Sequence, residues 1–227
     1  MNDTVLLEFT SAEACSQQLA KDLADQLSGV LAQEARASLL LPGGSSPGWM
    51  LGKLASLLSE WSRIDCSPTD ERWVVADDPS SNLRLLRAAL PDAHCLDPRQ
   101  VDTPLLAARG WQERLADWLP FDAVLLGMGE DGHFASLFPG MDGLSEALDP
   151  QAEPAALPGL APSEPRQRLS LNLAMLLQAR WLGLLVFGEH KRRLIEAVLA
   201  DEEQSRAYPV HALLHNHLRP VRIYWAN

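Results

Sequence analysis

The apolar residues of this chain form two alternating patterns, which are short continuous runs and longer stretches with helical spacing. A continuous run bounded by glycine or proline predicts a strand buried on both faces of a parallel sheet, and a spacing of three to four residues predicts an amphipathic helix. We expect strands at residues 4–9, 37–41, near 64, 124–126, 168–173, 181–187 and 221–225. We expect helices at residues 11–35, 49–58, 83–90, 102–119 and 191–200, with a short one ending near 179. This β-α alternation predicts a single α/β domain over residues 1–227, built on a doubly wound, mostly parallel sheet with helices on both faces.

One stretch interrupts this alternation. Residues 142–165 carry five prolines and few periodic apolar positions. Such a composition is typical of a loop, so we expect a surface excursion that is partly mobile.

Composition limits the classes of function that fit this fold. The chain has 227 residues, of which 47% are hydrophobic and 22% charged, and a formal net charge of -11. That charge disfavours nonspecific binding to nucleic acid or to an anionic membrane, although a small basic pocket can still hold an anionic substrate. The three cysteines are widely spaced, which predicts neither a disulfide framework nor a zinc site. The sequence shows no signal segment or membrane span, so we expect a cytoplasmic protein.

The segment 121–140 carries the strongest signal for chemistry. Its apolar strand runs directly into glycines, a carboxylate and an imidazole, with Asp131 and His133 two positions apart. Ligands bind beyond the carboxyl ends of strands in open α/β sheets, so both side chains are expected where a substrate would lie. Taken alone, the pair Asp131-Gly132 also fits an ordinary turn, and a single loop histidine is more often a bystander than a catalyst.

A second glycine loop follows the predicted strand at 37–41. The run Pro42-Gly43-Gly44-Ser45-Ser46-Pro47 leads into a helix, and backbone N–H groups at a helix start can hold a phosphate with help from the helix dipole. The run matches neither a Walker A loop nor a Gly-x-Gly-x-x-Gly fingerprint. From the loop alone, a phosphate cradle and a plain strand-to-helix turn with a serine cap are equally good interpretations.

Two polar residues near the third predicted strand are candidates for the same site as Asp131 and His133. Arg72 lies where that strand should end, and its guanidinium suits an anion or a developing oxyanion. Charges at such a position more often solvate a loop. Asn82 opens the next predicted helix and is a candidate pocket residue.

Two more candidates come from the second half of the chain. Arg168 lies in a stretch of alternating polar and apolar residues, which predicts a strand with Arg168, Ser170 and Asn172 on one face. Lys191 begins a helix that follows a buried strand and Gly188, where it could reach a phosphate. The alternative for Lys191 is an exposed helical lysine.

Together these segments resemble the 6-phosphogluconolactonase family of the pentose phosphate pathway over nearly the whole chain. The resemblance rests on the runs Gly43-Gly44-Ser45-Ser46-Pro47, Asp70-Glu71-Arg72-Trp73-Val74 with Ser81-Asn82, Gly127-Met128-Gly129-Glu130-Asp131-Gly132-His133 with Ala135-Ser136-Leu137-Phe138-Pro139-Gly140, Arg168-Leu169-Ser170-Leu171, and Gly188-Glu189-His190-Lys191. It implies a modified Rossmann-like fold shared with sugar-phosphate isomerases and deaminases. Ser46 and Phe134 stand where the family usually has threonine, and we expect Phe134 to reshape the pocket wall.

The resemblance implies hydrolysis of 6-phospho-D-glucono-1,5-lactone to 6-phosphogluconate, without a metal or an organic cofactor. His133 then is the general base that activates water, since an imidazole can take a proton at neutral pH. Asp131 orients that imidazole, and Arg72 stabilises substrate or oxyanion. The residues expected to bind the substrate and its phosphate are Gly43, Gly44, Ser45, Ser46, Asn82, Arg168 and Lys191. The expected partner is a phosphorylated sugar lactone, with neither nucleic acid nor membrane, and the oligomeric state stays open, with a monomer compatible.

Two other functions are weighed against the lactonase. Glucosamine-6-phosphate deaminases look similar in fold and phosphate loop and carry Asp-Gly-His, but their motif continues into Asn-Glu-Pro where this chain has Leu137-Phe138-Pro139. A noncatalytic sugar-phosphate sensor would keep the phosphate loop and would need neither Asp131 nor His133. The missing carboxylate and the retained Asp131 and His133 favour simple hydrolysis, although fold similarity alone does not fix function.

Overall fold

The computed structural model describes residues 4–44 and 47–227. The strands are β1 (Val5–Phe9), β2 (Ala37–Leu41), β3 (Ile64–Pro68), β4 (Asp70–Arg72), β5 (His94–Cys95), β6 (Ala123–Gly127), β7 (Ala156–Leu160), β8 (Gln167–Leu171), β9 (Leu182–Phe187) and β10 (Arg222–Ala226). The helices are α1 (Ala12–Leu31), α2 (Pro47–Leu57), α3 (Asn82–Ala89), α4 (Pro104–Ala116), α5 (Leu144–Ala147), α6 (Leu173–Leu176), α7 (Glu189–Leu199) and α8 (Pro209–Leu214). Short 3₁₀ turns lie at Trp61–Arg63 and Glu203–Ala207.

The central sheet is parallel throughout, which confirms the predicted fold class. Within the described residues it has seven strands in the order β1-β10-β9-β6-β2-β3-β5. From β2 the chain adds β3 and β5 on one side, whereas from β6 it adds β9 and β10 on the other. The strand order therefore reverses between β2 and β6, which is where open α/β sheets form a ligand crevice.

Each face of this sheet carries its own hydrophobic core. In β6, Val124 and Leu126 join one cluster while Ala123 and Leu125 join the other, as the alternation of side chains along a strand requires. The first cluster also takes in side chains of α4, α7 and α8, and the second takes in α1, α2 and α3. Because helices cover both faces, the central strands contain few polar residues, and this explains why they stand out as continuous apolar runs.

A second, antiparallel sheet joins β4, β8 and β7 in that order. Its first strand, β4, begins two residues after β3 ends, so the chain passes from the central sheet directly into it. In the pairing of β4 with β8, Arg72 lies opposite Arg168. The second sheet thereby brings together two basic residues that are far apart in the sequence.

The structure adds detail to one expectation about this region and corrects another. The excursion at 142–165 is not a loop throughout, since it contains α5 and β7, and β7 pairs with β8 along five residues. Pro158 and Gly159 hide this strand from a pattern search because both residues are rare inside strands. Asn172 does not share a strand face with Arg168 and Ser170, since β8 ends at Leu171 and the Asn172 side chain accepts the N–H of Met175 as the N-cap of α6.

Candidate active site

A cavity of about 330 Å³ opens beyond the carboxyl ends of β2 and β6, where the strand order reverses. It collects the glycine loop after β2, the facing strands β4 and β8, and the loop after β6. The residues that line it are Pro42, Gly43, Gly44, Pro47, Asp70, Arg72, Asn82, Gly127, Met128, Gly129, His133, Ala135, Ser136, Phe138, Ser163, Arg168 and Leu185. Six of the ten residues predicted for the site therefore line one cavity, namely Gly43, Gly44, Arg72, Asn82, His133 and Arg168.

Backbone hydrogen bonds hold the loop after β6 in a tight turn. The N–H of Gly129 donates to the carbonyl of His133 at 2.9 Å, and the N–H of Gly132 donates to the carbonyl of Gly129 at 3.2 Å. Gly132 has φ +73°, a conformation that favours glycine. From outside the turn, the N–H of Val210 in α8 donates to the Gly132 carbonyl at 2.9 Å. This turn fixes the backbone that presents His133 to the cavity.

Asp131 orients the imidazole of His133 directly. Its Oδ1 lies 2.5 Å from Nδ1 of His133 and also accepts the backbone N–H of His133 at 3.3 Å. Partial burial favours a raised Asp131 pKa, but the hydrogen bonds and charge of His133 outweigh burial and leave the pKa below its ordinary value. An ionised carboxylate can only accept, so Nδ1 carries the proton and Nε2 of the neutral ring keeps a free lone pair. The pair can therefore act as an oriented base.

Phe138 and Phe134 have different positions in the same loop. The Phe138 ring packs against the His133 imidazole, with ring centroids 4.3 Å apart, and lines the cavity. Phe134 is fully buried in the hydrophobic core and is absent from the cavity lining. The expectation that Phe134 reshapes the pocket wall is therefore wrong, and Phe138 is the phenylalanine that forms the wall.

Arg72 and Arg168 place two positive charges on one side of the cavity. They are cross-strand neighbours, both line the cavity, and Nε of each is buried without a hydrogen-bond partner among the described residues. Burial lowers the pKa of Arg168, and the nearby charge of Arg72 adds to this effect, while Asp70 and Glu71 oppose it. Arg168 is buried and Arg72 is half-buried, with its Nη1 donating to the Ser80 carbonyl, and the unused Nε donors of both guanidiniums form a strong site for an anion.

Glu71 stabilises this side of the cavity without lining it. Its carboxylate accepts the backbone N–H groups of Arg72, Asn82 and Leu83, at 2.7 to 2.8 Å, and thus caps the start of α3. Arg99 lies 3.6 Å from it, but burial dominates and raises the pKa of Glu71. Glu71 is therefore a fully buried anchor for this side of the cavity.

Asn82 and Asp70 form a connected polar wall. Asn82 Nδ2 donates to the Asp70 carbonyl at 2.7 Å, and Asp70 Oδ2 accepts the hydroxyl of Ser136 at 2.5 Å. A side chain at Gly43 would overlap the Asn82 amide, so glycine is required for this close approach. Asp70 and Ser136 were not predicted as site residues, although their places in the two motifs were the signal that could have identified them.

The other three predicted binding residues are Ser45, Ser46 and Lys191. Ser45 and Ser46 lie outside the described residues. Lys191 is absent from the cavity lining, and its Nζ lies 3.4 Å from Oε1 of Glu130, in the loop that carries His133. A role for Lys191 in phosphate binding therefore requires its side chain to move toward the cavity.

A second, larger groove of about 550 Å³ adjoins the cavity. The two share Phe138 and Arg168, and residues 158–162 of the excursion form one wall of the groove. Three charged side chains among residues 4–44 and 47–227 line each of the two, but the cavity also contains the imidazole of His133, so the cavity is the better candidate for chemistry. Among the described residues, no group of possible metal ligands meets within this cavity. No helix in the described part of the chain is both long and apolar enough to cross a membrane.

Comparison with known proteins identifies consistent relatives. Residues 10–225 match the family model described as glucosamine-6-phosphate isomerases/6-phosphogluconolactonase. The 6-phosphogluconolactonase of Pseudomonas putida is 36% identical over 96% of this chain and 91% of its own length. That of Pseudomonas aeruginosa is 39% identical over 95% of this chain and 92% of its own length. The crystal structure of a 6-phosphogluconolactonase from Shewanella baltica superimposes with a TM-score of 0.89 at 33% identity, covering 99% of this chain and 98% of the other.

Proposed function

The chain belongs to the family of glucosamine-6-phosphate isomerases and 6-phosphogluconolactonases and is a lactone-hydrolysing enzyme of the pentose phosphate pathway. We propose that His133 is the general base of this enzyme. The reaction converts 6-phospho-D-glucono-1,5-lactone to 6-phosphogluconate. The observation that carries the proposal is the hydrogen bond of 2.5 Å between Asp131 and Nδ1 of His133, at a cavity that also holds Arg72 and Arg168.

The first chemical step uses the free nitrogen of His133. Because Nδ1 donates to Asp131, Nε2 is the atom that takes a proton from water as the water oxygen bonds to the lactone carbonyl carbon. The carbonyl π electrons move to oxygen, which becomes the oxyanion of a tetrahedral intermediate. Asp131 stabilises the imidazolium that forms at the same time. Arg72 is the group we assign to the substrate or the developing oxyanion.

The second step opens the ring. The oxyanion reforms the carbonyl, the bond between the carbonyl carbon and the ring oxygen breaks, and the imidazolium of His133 returns its proton to that ring oxygen. The products are a carboxylic acid, which ionises at neutral pH, and a hydroxyl group. One water is consumed and the histidine ends neutral, so the cycle needs no further reactant.

We assign the substrate phosphate to the basic side of the cavity. Arg168 and the backbone of Gly43 and Gly44 supply donors there, and the unpartnered Nε of Arg168 supports this assignment. Asn82 is held beside Gly43 as a further polar contact. We also assign Lys191 to the phosphate. As substrate enters, the Lys191 ammonium leaves the Glu130 carboxylate and binds the phosphate.

The phenylalanine next to the base argues for hydrolysis over deamination. Deamination with isomerisation moves protons between carbon and oxygen atoms and needs another carboxylate near the histidine. Here the ring of Phe138 packs on His133. This environment suits a reaction that needs a single base.

We also propose that the enzyme works in the cytoplasm on a small sugar phosphate, without a nucleic-acid partner. Three free cysteines suit a reducing compartment, and the net charge of -11 disfavours binding to nucleic acid.

Kinetics on two substrates tests these assignments. Wild-type enzyme should accelerate hydrolysis of freshly made 6-phosphogluconolactone above its uncatalysed rate and should prefer it over unphosphorylated gluconolactone. Arg168→Met should raise KM for the phosphorylated lactone by roughly 10- to 100-fold, the scale of one hydrogen bond to a charged group. Its kcat/KM for gluconolactone should change little.

Arg166→Met is the matched control, because Arg166 lies two residues away and lines the neighbouring groove instead of the cavity. Equal losses on both substrates in Arg168→Met would remove Arg168 from phosphate binding. Absence of acceleration by the wild-type enzyme would overturn the lactonase function itself.

A further inference from the structure

Three side chains away from the cavity form a cluster of metal-ligand type. Asp201 follows the end of α7, His211 lies in α8, and His215 follows α8, with one possible ligand atom of each within 4.8 Å of the others. We propose that Asp201, His211 and His215 bind one zinc ion, separately from the lactonase cavity. Two imidazole nitrogens and one carboxylate are a common three-ligand set for zinc, whose fourth position takes water.

A backbone contact prepares His215 for this role. Its Nε2 lies 2.7 Å from the carbonyl oxygen of Val198. A carbonyl only accepts, so Nε2 carries the proton and Nδ1 of the neutral ring offers its lone pair to a metal. Hydrogen bonds of this kind from the outer nitrogen of a metal-binding histidine orient the ring and make it a better ligand.

Asp201 and His211 already approach each other closely. Nε2 of His211 lies 2.9 Å from Oδ1 of Asp201. Asp201 has φ +53°, in the left-handed region that non-glycine residues rarely adopt, and its N–H donates to the Val198 carbonyl at 2.9 Å. Ligand atoms around tetrahedral zinc lie roughly 3.4 Å apart. Because the His211 and His215 rings are stacked, with centroids 4.2 Å apart and an interplanar angle of 19°, zinc binding requires the rings to turn so that one nitrogen of each faces the ion.

Arg206 forms an ion pair with the Asp201 carboxylate. It donates to both oxygens of Asp201, at 3.0 and 2.7 Å. The Arg206 side chain is 59% exposed, so it can turn into water without leaving a buried gap. We therefore interpret Arg206 as a cation that zinc displaces from Asp201.

The cluster is mechanically linked to the loop that carries His133. Val210, next to His211 in the sequence, donates its N–H to the carbonyl of Gly132. Tyr208 packs so closely on Gly132 that a side chain there would collide with it. A metal bound by residues of α8 and of the end of α7 would therefore restrict the motion of the segment that contacts Gly132 and supports the loop carrying His133.

Calorimetric titration of metal-stripped, untagged protein with ZnCl₂ tests the site. We expect one zinc ion per chain with micromolar affinity and a higher Tm in the presence of zinc. His211→Gln and Asp201→Asn should each weaken zinc binding by at least about 10-fold. Removing only the hydrogen-bond partner of a metal ligand already lowers metal affinity by about that factor, and removing a ligand should cost more. Asparagine tolerates the left-handed conformation, so Asp201→Asn tests the ligand in a folded protein even if His211→Gln fails to fold. Arg206→Gln should tighten binding.

Two histidine variants serve as controls. His217→Gln removes an exposed histidine from the same region, and His133→Ala removes the histidine of the lactonase cavity; both should bind zinc as the wild type does. Slower hydrogen exchange of the Val210 amide with zinc would support the link to the catalytic loop. The proposal is overturned if zinc does not bind at micromolar concentrations, if His133→Ala abolishes binding, or if His211→Gln and Asp201→Asn leave it unchanged.

Discussion

The hydrogen bond between Asp131 and His133 gives the two imidazole nitrogens different tasks. Nδ1 is held as a donor by Asp131 at 2.5 Å, and Nε2 remains for water. Since the pKa of Asp131 lies below its ordinary value of 3.8, the carboxylate is ionised at neutral pH and can only accept from the imidazole.

Asp131→Asn should impair turnover more than binding. An asparagine that donates to Nδ1 would favour the tautomer with its proton on Nε2, which cannot take another proton from water. We expect kcat to fall on the order of 100-fold, with a smaller change in KM, in steady-state assays at pH 7. Glu130→Gln, at the neighbouring exposed carboxylate, should keep kcat. Equal kcat for Asp131→Asn and wild type would exclude the orienting role.

At the residue scale, the proximity of Asp131 and His133 was easier to predict from the sequence than the residues that support them. Asp131 and His133 lie two positions apart in one loop, so their contact is a local property. The anchor Glu71 and the contact of Asp70 with Ser136 depend on chain segments that meet only in the fold. A carboxylate that caps the next helix has the same sequence signature as one that faces water.

The glycine loops are the elements on which the site depends. At Gly129, an added Cβ would overlap both the His133 ring and the Asp131 carboxylate. At Gly110, inside α4, an added Cβ would meet nothing within 4 Å. The same substitution should therefore have opposite consequences in the two elements.

Gly129→Ala should lose most lactonase activity while the protein stays folded, because the imidazole must leave its oriented position. Gly110→Ala should keep full activity and gain about 0.5 to 1 kcal/mol in free energy of unfolding, since alanine is the better helix residue. Lactone hydrolysis and urea denaturation of both variants measure these outcomes. An active Gly129→Ala enzyme would contradict the geometry assigned to this loop.

The sequence predicted best the elements whose own apolar residues indicate that they are buried. The central strands at 37–41 and 182–187 appear as apolar runs because both faces are covered. Strands β4 and β5 escaped prediction because they span only three and two residues. Strand β7 contains proline and glycine, so its pairing with β8 is visible only in the tertiary structure.

At the scale of the whole molecule, two hydrophobic cores hold the sheet that positions the cavity. Trp111 of α4 is fully buried in one core, and its Nε1 donates to the hydroxyl of Ser67 in β3 at 3.0 Å. This residue links a covering helix to a strand that leads into the second sheet. Its packing should therefore contribute strongly to global stability.

Trp111→Ala should lower the free energy of unfolding by about 3 to 5 kcal/mol, the usual cost of removing a buried tryptophan side chain. Trp49→Ala is the control, since the Trp49 side chain is 65% exposed and its loss should cost less than about 0.5 kcal/mol. Urea denaturation followed by circular dichroism compares the two. Similar losses in both variants would show that the core around Trp111 does not dominate stability.

The rate of lactone hydrolysis by His133→Ala is the most direct test of the whole account. It should be measured on freshly made 6-phosphogluconolactone after subtraction of the uncatalysed rate, beside His190→Ala as a control for an exposed histidine near the same loop. We predict that turnover falls roughly 100-fold or more in His133→Ala and stays near the wild-type value in His190→Ala. Unchanged turnover in a folded His133→Ala enzyme would contradict the assignment of the base and require a different catalytic group in this cavity.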